Sequence, residues 1–420
     1  MLALPSSSSV VISHCHGNAN VRQATVAFAE AGMLRTFWTG LAWNPDSSLA
    51  RALPGGWRRQ LDRRALPASV RPYVRLHPWR EAARLAAQAT GSRARHWPQL
   101  SPNACAQDLD ERVARYVAEA RGPLDLVYAY DHGALASFQA ARRRGAGCLY
   151  DLPIGYWRVL DRTLRAERAA WPEWQSLDPD LDFSSSEFLR KDAEIGLADH
   201  VVVPSAFVAR TLQGYQGRLP PVSVIPFGAP PVPTRDMPRR AAGERLRILY
   251  AGALSLRKGT PYLLKALAHF GERVDCTVVG RMSAPCAPAQ AALAHMRWIE
   301  SLPHGELLTL MAQSDVFVFP TLFEGFALVS LEAMSQGCAL ISTPAFGGEE
   351  MILDGVNGFI VPERSVDALV ATIERLDRDR DLLARVRAAS VTTIADCTWE
   401  RYRAALRQVV SGASLVAHAA

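Results

Sequence analysis

Lysine is almost missing from this chain. Lys191, Lys258 and Lys265 are the only three among 47 basic residues in 420, so chemistry that needs a lysine Schiff base, pyridoxal catalysis included, has few places to occur. Long apolar runs are lacking too: no stretch approaches the length of about 20 residues that spans a bilayer. The opening "MLALPSSSSVVISHCHGN" has neither the basic start nor the apolar stretch of a secretory leader. A soluble or peripherally attached protein is expected. The seven cysteines are odd in number and include no C-x-x-C pair. That excludes a disulfide framework and suits reduced thiols in a cytosolic protein without structural bridges. No G-x-G-x-x-G follows an apolar run, which argues against a nicotinamide dehydrogenase.

What is present is a long, well-packed chain. At 420 residues and 49% hydrophobic content it exceeds one ordinary core, so two domains are expected. The net charge of +6 and pI near 9.0 point to anionic ligands or a membrane surface, and charge alone leaves nucleic acid open. The stretch from Arg51 to Trp97 stands apart, with eleven arginines against two acids and with Trp57, Trp79 and Trp97 interspersed. Two readings are open for residues 51–97: a solvated helical insertion, or a peripheral membrane contact in which tryptophans enter the interface and arginines meet anionic lipid.

Short runs that are apolar on both faces recur, each followed by a Gly- or Pro-marked turn and then a helical pattern. "SVVISHCHG", "LDLVYAYDHG", "GCLYDLPIG" and "DHVVVPS" do so in the first half, and "RILYAGAL", "RVDCTVVG", "DVFVFP", "CALISTP" and "GFIVP" after residue 240. Such runs suit central parallel strands covered by helices, giving an α/β fold of two successive open parallel sheets. The proline-dense "PPVSVIPFGAPPVPTRDMPRRAAGE" between them forbids continuous helix or central strand, and the hinge is placed near residues 226–243. The division is then 1–228, a linker 229–243, a second domain 244–396 and a closing element 397–420. Open α/β sheets bind ligands at the carboxyl ends of their strands.

"PTLFEGFALVSLEAMSQGCALISTP" carries two acids, Glu324 and Glu332. The strand ends at Pro320 and a helix restarts near Ala327, so Glu324 sits in the turn and Glu332 inside the helix. The start of that helix offers free N–H groups and a positive dipole end to a phosphate. An acid beside a bound phosphate is not there for charge attraction; it accepts hydrogen bonds from neutral donors such as sugar hydroxyls.

At these residues the chain resembles retaining glycosyltransferases of family 4, which have the GT-B fold of two Rossmann-like domains facing a central cleft. The E-x7-E spacing, "GGEEMILDGVNGFIVP", "LPHGELLTLMAQSDVFVFP" and "YAGALSLRKGTPYLLKAL" are similar to the family's donor-binding domain. "LADHVVVPSAFVARTL", "VIPFGAP" and "TWERYRAAL" resemble the end of its first domain and its closing helix. The resemblance covers roughly the last 240 residues well and the first half in outline.

The resemblance implies that Glu324 contacts donor-sugar hydroxyls and Glu332 the nucleotide ribose. Backbone groups of Gly325, Phe326, Ala327 and Leu328 would surround the diphosphate and sugar, while Arg257 and Lys258 neutralise the leaving diphosphate so that no metal is required. The family's arginine after the strand-ending glycine is replaced here by Ala253, following Gly252. Arg257 or Arg281 would then supply the charge, with a solvated surface arginine as the other reading of Arg281.

In "LDLVYAYDHGALAS" a strand ending near Tyr130 presents Asp131 and His132 to the cleft. The resemblance implies a place for Asp131 beside the reacting sugar, making Asp131, Glu324 and Lys258 the catalytic set, and lets His132 bind the donor. The other reading makes Asp131 a helix N-cap and His132 an exposed first-turn residue. Gly17, before a helix beginning near Asn20, resembles the first-domain loop that approaches the donor diphosphate, although the usual double glycine is missing. His14 and His16 suggest a metal only weakly, because two ligands lack a third; a satisfied cleft histidine is the alternative.

The implied activity is transfer of a sugar from a nucleotide-diphosphate-sugar donor to a glycan or lipid-linked acceptor. No cofactor is expected beyond that co-substrate, and no nucleic-acid partner. The implied setting is cell-surface polysaccharide synthesis, in the cytoplasm or at the inner face of its membrane. GT-B epimerases and phosphorylases, or a non-catalytic module that binds nucleotide or glycan, are the rival readings.

Overall fold

The computed structural model describes residues 8–45, 47, 64–178, 183, 185–233 and 243–411. The first domain holds β1 (Val10–Ser13), β2 (Leu34–Thr39), β3 (Val74–Leu76), β4 (Leu126–Tyr130), β5 (Gly147–Asp151), β6 (His200–Val203) and β7 (Val222–Val224). They form one parallel sheet in the order β3-β2-β1-β4-β5-β6-β7. The second holds β8 (Leu246–Ala251), β9 (Val274–Val279), β10 (Arg297–Ile299), β11 (Val316–Phe319), β12 (Ala339–Ser342) and β13 (Phe359–Ile360). Their order is β10-β9-β8-β11-β12-β13, again all parallel. This is the GT-B architecture.

Every position of "VVIS" in β1 and "VFVF" in β11 is buried, because helices cover both faces of a parallel sheet. The sheets also contain strands that the apolar-run pattern does not mark. β3 "VRL", β7 "VSV" and β10 "RWI" are three-residue edge strands, and partly exposed. β2, "LRTFWT", is interior but broken in pattern by Arg35 and Thr36. The segment of residues 51–97 is therefore not a purely helical insertion: its described part gives the first sheet its edge strand β3 before the helix Trp79–Ala89. Trp57 and residues 51–63 lie outside the described residues, as do 234–242 of the expected linker and 412–420 at the end.

In both sheets the strand order reverses once, between β1 and β4 and between β8 and β11, and the crevice at such a switch point is where these folds take ligands. The two sheets face each other through these ends. A Cβ on Gly155, after β5, would lie 2.5 Å from the Phe323 ring, and one on Gly325 would lie 1.7 Å from the Pro153 carbonyl oxygen. Ser205 Oγ, after β6, donates to the Gly325 carbonyl at 2.7 Å. A strap made of the helix Trp157–Ala170 and the 3-10 turn Pro172–Leu177 also crosses from the first domain. On it the buried Glu167 meets Arg364 Nε at 2.6 Å and the Tyr262 hydroxyl at 2.9 Å, and Trp171 packs edge-on against Tyr262 at 5.4 Å.

The chain crosses between domains near residue 229 and returns near 397. The two crossings touch, with the Ala229 N–H donating to the Cys397 carbonyl at 2.7 Å and Phe227 stacked on Trp399. The last helix, Trp399–Ser411, lies on the first domain, where Arg403 reaches Gln23 at 2.6 Å and Glu30 at 3.4 Å. All seven cysteines are free thiols. Among the described residues no helix is long and apolar enough to cross a membrane.

Candidate functional site

The second-domain switch point is built by two loops stitched together. After β8 the chain turns through Ser255–Lys258 into the helix Thr260–Ala268. Gly259 makes that turn possible: its φ is +69°, and a Cβ there would sit 2.0 Å from the Pro320 carbonyl oxygen. Thr260 Oγ1 accepts the Ser255 N–H at 2.9 Å, and the Arg257 carbonyl accepts the Leu322 N–H at 2.8 Å. The stitching brings Arg257, Lys258 and Glu324 together. Arg257 Nη1 lies 3.2 Å from Glu324 Oε2 and donates to the Phe323 carbonyl at 2.8 Å. Lys258 Nζ contacts the same Glu324 oxygen and stands 4.7 Å from the centre of the Phe319 ring. Burial, and then the Arg257 charge, push the Lys258 ammonium well below the usual lysine range, while the carboxylate it touches opposes them. Burial likewise lowers Arg257.

Glu324 stands in the turn and Glu332 inside the helix Leu328–Ser335. Around the turn, the Ala327 N–H is given to the Phe346 carbonyl and the Leu328 N–H to the Phe326 carbonyl, both at 2.9 Å. The Gly325 N–H is given to Glu324 Oε1 at 3.4 Å, its carbonyl accepts from Ser205, and the lack of a Cβ lets Pro153 come close. Glu332 is mostly buried, which raises its pKa; His304 Nε2, 4.0 Å away, opposes the shift. Arg281 is exposed at the end of β9, and Ala253 occupies the tight loop after Gly252, where its carbonyl accepts the Tyr250 hydroxyl at 2.8 Å.

At the first-domain switch point Asp131 and His132 follow β4. Asp131 is not a helix N-cap: the helix Leu135–Arg143 has Ala134 in that place, and its first amides go to Glu194 and Asp110. Instead Asp131 pairs with Lys191 at 2.8 Å. Burial works against its charge, but Lys191 and then His132 bring its pKa below the ordinary value. His132 is not an exposed first-turn residue either. It is held at φ +66°, with its N–H on Glu194 at 3.0 Å, and burial, then Lys191, lower its pKa to about 4. Lys191, Glu194 and Asp110 carry no local sequence signal for these roles, because they act across more than 25 residues of chain.

The β1 loop completes this end. His14 Nδ1 accepts the N–H groups of His16 and Gly17, each at 3.0 Å. Burial and then His16 lower the His14 pKa to about 3, which makes it a satisfied cleft histidine. Gly17 turns at φ +62° into the helix Ala19–Glu30. Among the described residues one cluster could in principle hold a metal ion: Cys15, His16 and Glu81. Glu81, however, is already taken by Arg64 at 2.6 Å and by two bonds from Arg84 at 2.7 Å, so the cluster has little charge left for a cation. A cavity of about 150 Å³ runs between His14, His16, Asn103, Tyr130 and Asp131. A wider one of about 980 Å³, between Arg245, Arg247, Asp275 and Arg297, lies at the opposite end of the second sheet and contains none of the expected site residues.

Residues 235–391 match the family described as "Glycosyl transferases group 1". The second domain belongs to that family. Among relatives of this glycosyl transferase domain, the D-inositol 3-phosphate glycosyltransferase of Xylanimonas cellulosilytica is 29% identical over 249 residues, which are 52% of this chain and 60% of that one. The chain thus spans less than two thirds of that relative's length. Two solved structures share the whole fold. Sucrose-phosphate synthase from Thermosynechococcus elongatus superposes with a TM-score of 0.64 at 17% identity, covering 96% of this chain and 98% of that chain. Anabaena HepE, in complex with UDP and glucose, gives 0.62 at 16% identity, covering 96% and 100%.

Proposed function

We propose that the chain transfers a sugar from a nucleoside-diphosphate-sugar to a glycan or lipid-linked acceptor, with retention of configuration and without a metal ion. The observation that carries this reading is the convergence of Lys258, Arg257 and Glu324 at the switch point of the group 1 domain, against the first-domain loop at Pro153. In this reading Lys258 and Arg257 neutralise the departing diphosphate. Glu324 and Glu332 accept hydrogen bonds from sugar and ribose hydroxyls, and Asp131 with His132 faces the reacting sugar from the other domain. The bond from the anomeric carbon to the diphosphate breaks as the acceptor oxygen bonds on the same face, and the leaving oxygen takes the acceptor proton. Domain closure keeps water from the activated carbon.

The UDP and glucose in the HepE complex support a nucleotide-sugar donor, and the inositol phosphate in the relative's name supports a hydroxylated acceptor. Trp79 and Trp97, exposed beside Arg75, Arg80 and Arg93 in the chain, support attachment of a cytoplasmic protein to anionic lipid. The test begins with thermal shifts on UDP-, GDP- and ADP-sugars, where a donor at about 100 times its dissociation constant adds about 2.7 kcal/mol. The anomeric configuration of the product is then read by NMR with and without EDTA. Inversion, or loss of turnover in the chelator, would overturn the corresponding part of this reading.

A further inference from the structure

The loop that would receive the donor diphosphate already holds an acid from the other domain. Asp178, at the end of the strap, accepts the Leu256 N–H on its Oδ2 at 2.5 Å. Burial raises the Asp178 carboxyl above its ordinary range, while the Leu256 N–H and then the Arg257 charge draw it back. The contact is firmly delivered. Trp174 and Leu177, just before Asp178, are buried, Lys265 Nζ lies 4.2 Å from the centre of the Trp171 ring, and the Glu173 carbonyl meets Cys286 Sγ at 3.9 Å. These contacts fix the strap on the helices Thr260–Ala268 and Ala287–Leu293.

We propose that Asp178 sets the affinity of the donor site by standing where it opposes the donor diphosphate: its carboxylate occupies the Leu256 N–H and part of the Arg257 field that a phosphate oxygen would otherwise use. A carboxylate on backbone N–H groups beside a guanidinium makes the same charge-assisted bonds as a phosphate. Arg257 bonds Glu324 of its own domain at 3.2 Å and, at longer range, feels the charge of Asp178 from the other. A diphosphate entering this loop must approach Asp178, so binding is weakened and the product diphosphate is released more readily. This inference rests on the donor reading above and adds a residue that the resemblance does not mark.

The test is calorimetric titration of the wild-type chain and of Asp178→Asn with UDP, GDP and ADP, and with the matching nucleosides. Asn keeps the acceptor oxygen and the size while removing the charge. For whichever diphosphate binds, its dissociation constant should fall about tenfold in the variant, the size of one partly screened charge removed nearby, and the nucleoside constant should not change. Asp178→Ala, which lacks the acceptor too, should keep the gain. A folded Asp178→Asn chain that binds the diphosphate equally or more weakly overturns the inference. If neither wild type nor variant binds any of the three diphosphates, the donor reading falls and the inference with it.

Discussion

Replacing Gly325 by alanine should separate the two domains without damaging either core. The added Cβ would stand 1.7 Å from the Pro153 carbonyl oxygen and 2.9 Å from the Ile154 Cα, whereas ordinary contact begins near 3.4 Å. The loop after β5 must therefore retreat by roughly 1.7 Å, the difference between the two oxygen distances. Backbone cannot rotate out of the way as a side chain can, so the strain is relieved by opening. The Ser205 bond to the Gly325 carbonyl and the packing of Phe323 on Gly155 are lost in the process. Overpacking of this kind costs about 1–3 kcal/mol, here charged to the interface rather than to either sheet. If donor chemistry needs both domains, a displacement of this size lowers turnover about a hundredfold. Small-angle scattering should show a larger radius of gyration, with far-UV circular dichroism unchanged. A variant as compact and as active as the wild type would refute the closed arrangement argued from these loops.

Three further outcomes follow from the same geometry. Lys258→Met should cut donor turnover by at least about a hundredfold, measured as release of nucleoside diphosphate; turnover within twofold of wild type would remove Lys258 from the mechanism. Glu324→Gln should lose sugar transfer yet bind the free nucleoside diphosphate at least as tightly, because Arg257 and Lys258 are released from their shared acid; weaker binding in a titration would contradict that. Asp151 is fully buried at the end of β5, accepts the Tyr128 hydroxyl at 2.6 Å, and has its pKa pushed up by burial from 3.8 to about 7. The folded chain then holds more protons than the unfolded one between about pH 4 and 7, so stability falls as pH rises across that window, by up to about 1.4 kcal/mol per unit. Asp151→Asn should lessen that slope in urea unfolding followed against pH, and an unchanged slope would show that Asp151 does not titrate there.

The central strands were open to reading because a strand buried on both faces has to be apolar throughout, as "VVIS" and "VFVF" are. The edge strands β3, β7 and β10 meet water on part of their surface and carry mixed three-residue sequences that say little alone. Glu324 was legible for another reason, standing beside Gly325 in the turn between a strand and a helix, where local chain geometry leaves a mark, whereas Arg257 and Lys258 were reached through the resemblance carried by "YAGALSLRKGTPYLLKAL". Asp178, Lys191 and Glu194 leave none. Their partners lie 78, 60 and 62 residues away in the chain, and an acid or lysine on a helical segment reads as solvated surface until the tertiary fold brings its partner to it.

The bond between Ala229 and Cys397 has a mechanical consequence. Two chain crossings joined side by side hold the domains together along one line, and the strap at Glu167 and Arg364 joins them again elsewhere. Tied in two places, the turn after β11 is kept against Pro153, and the facing loops need no separate guide to stay in register.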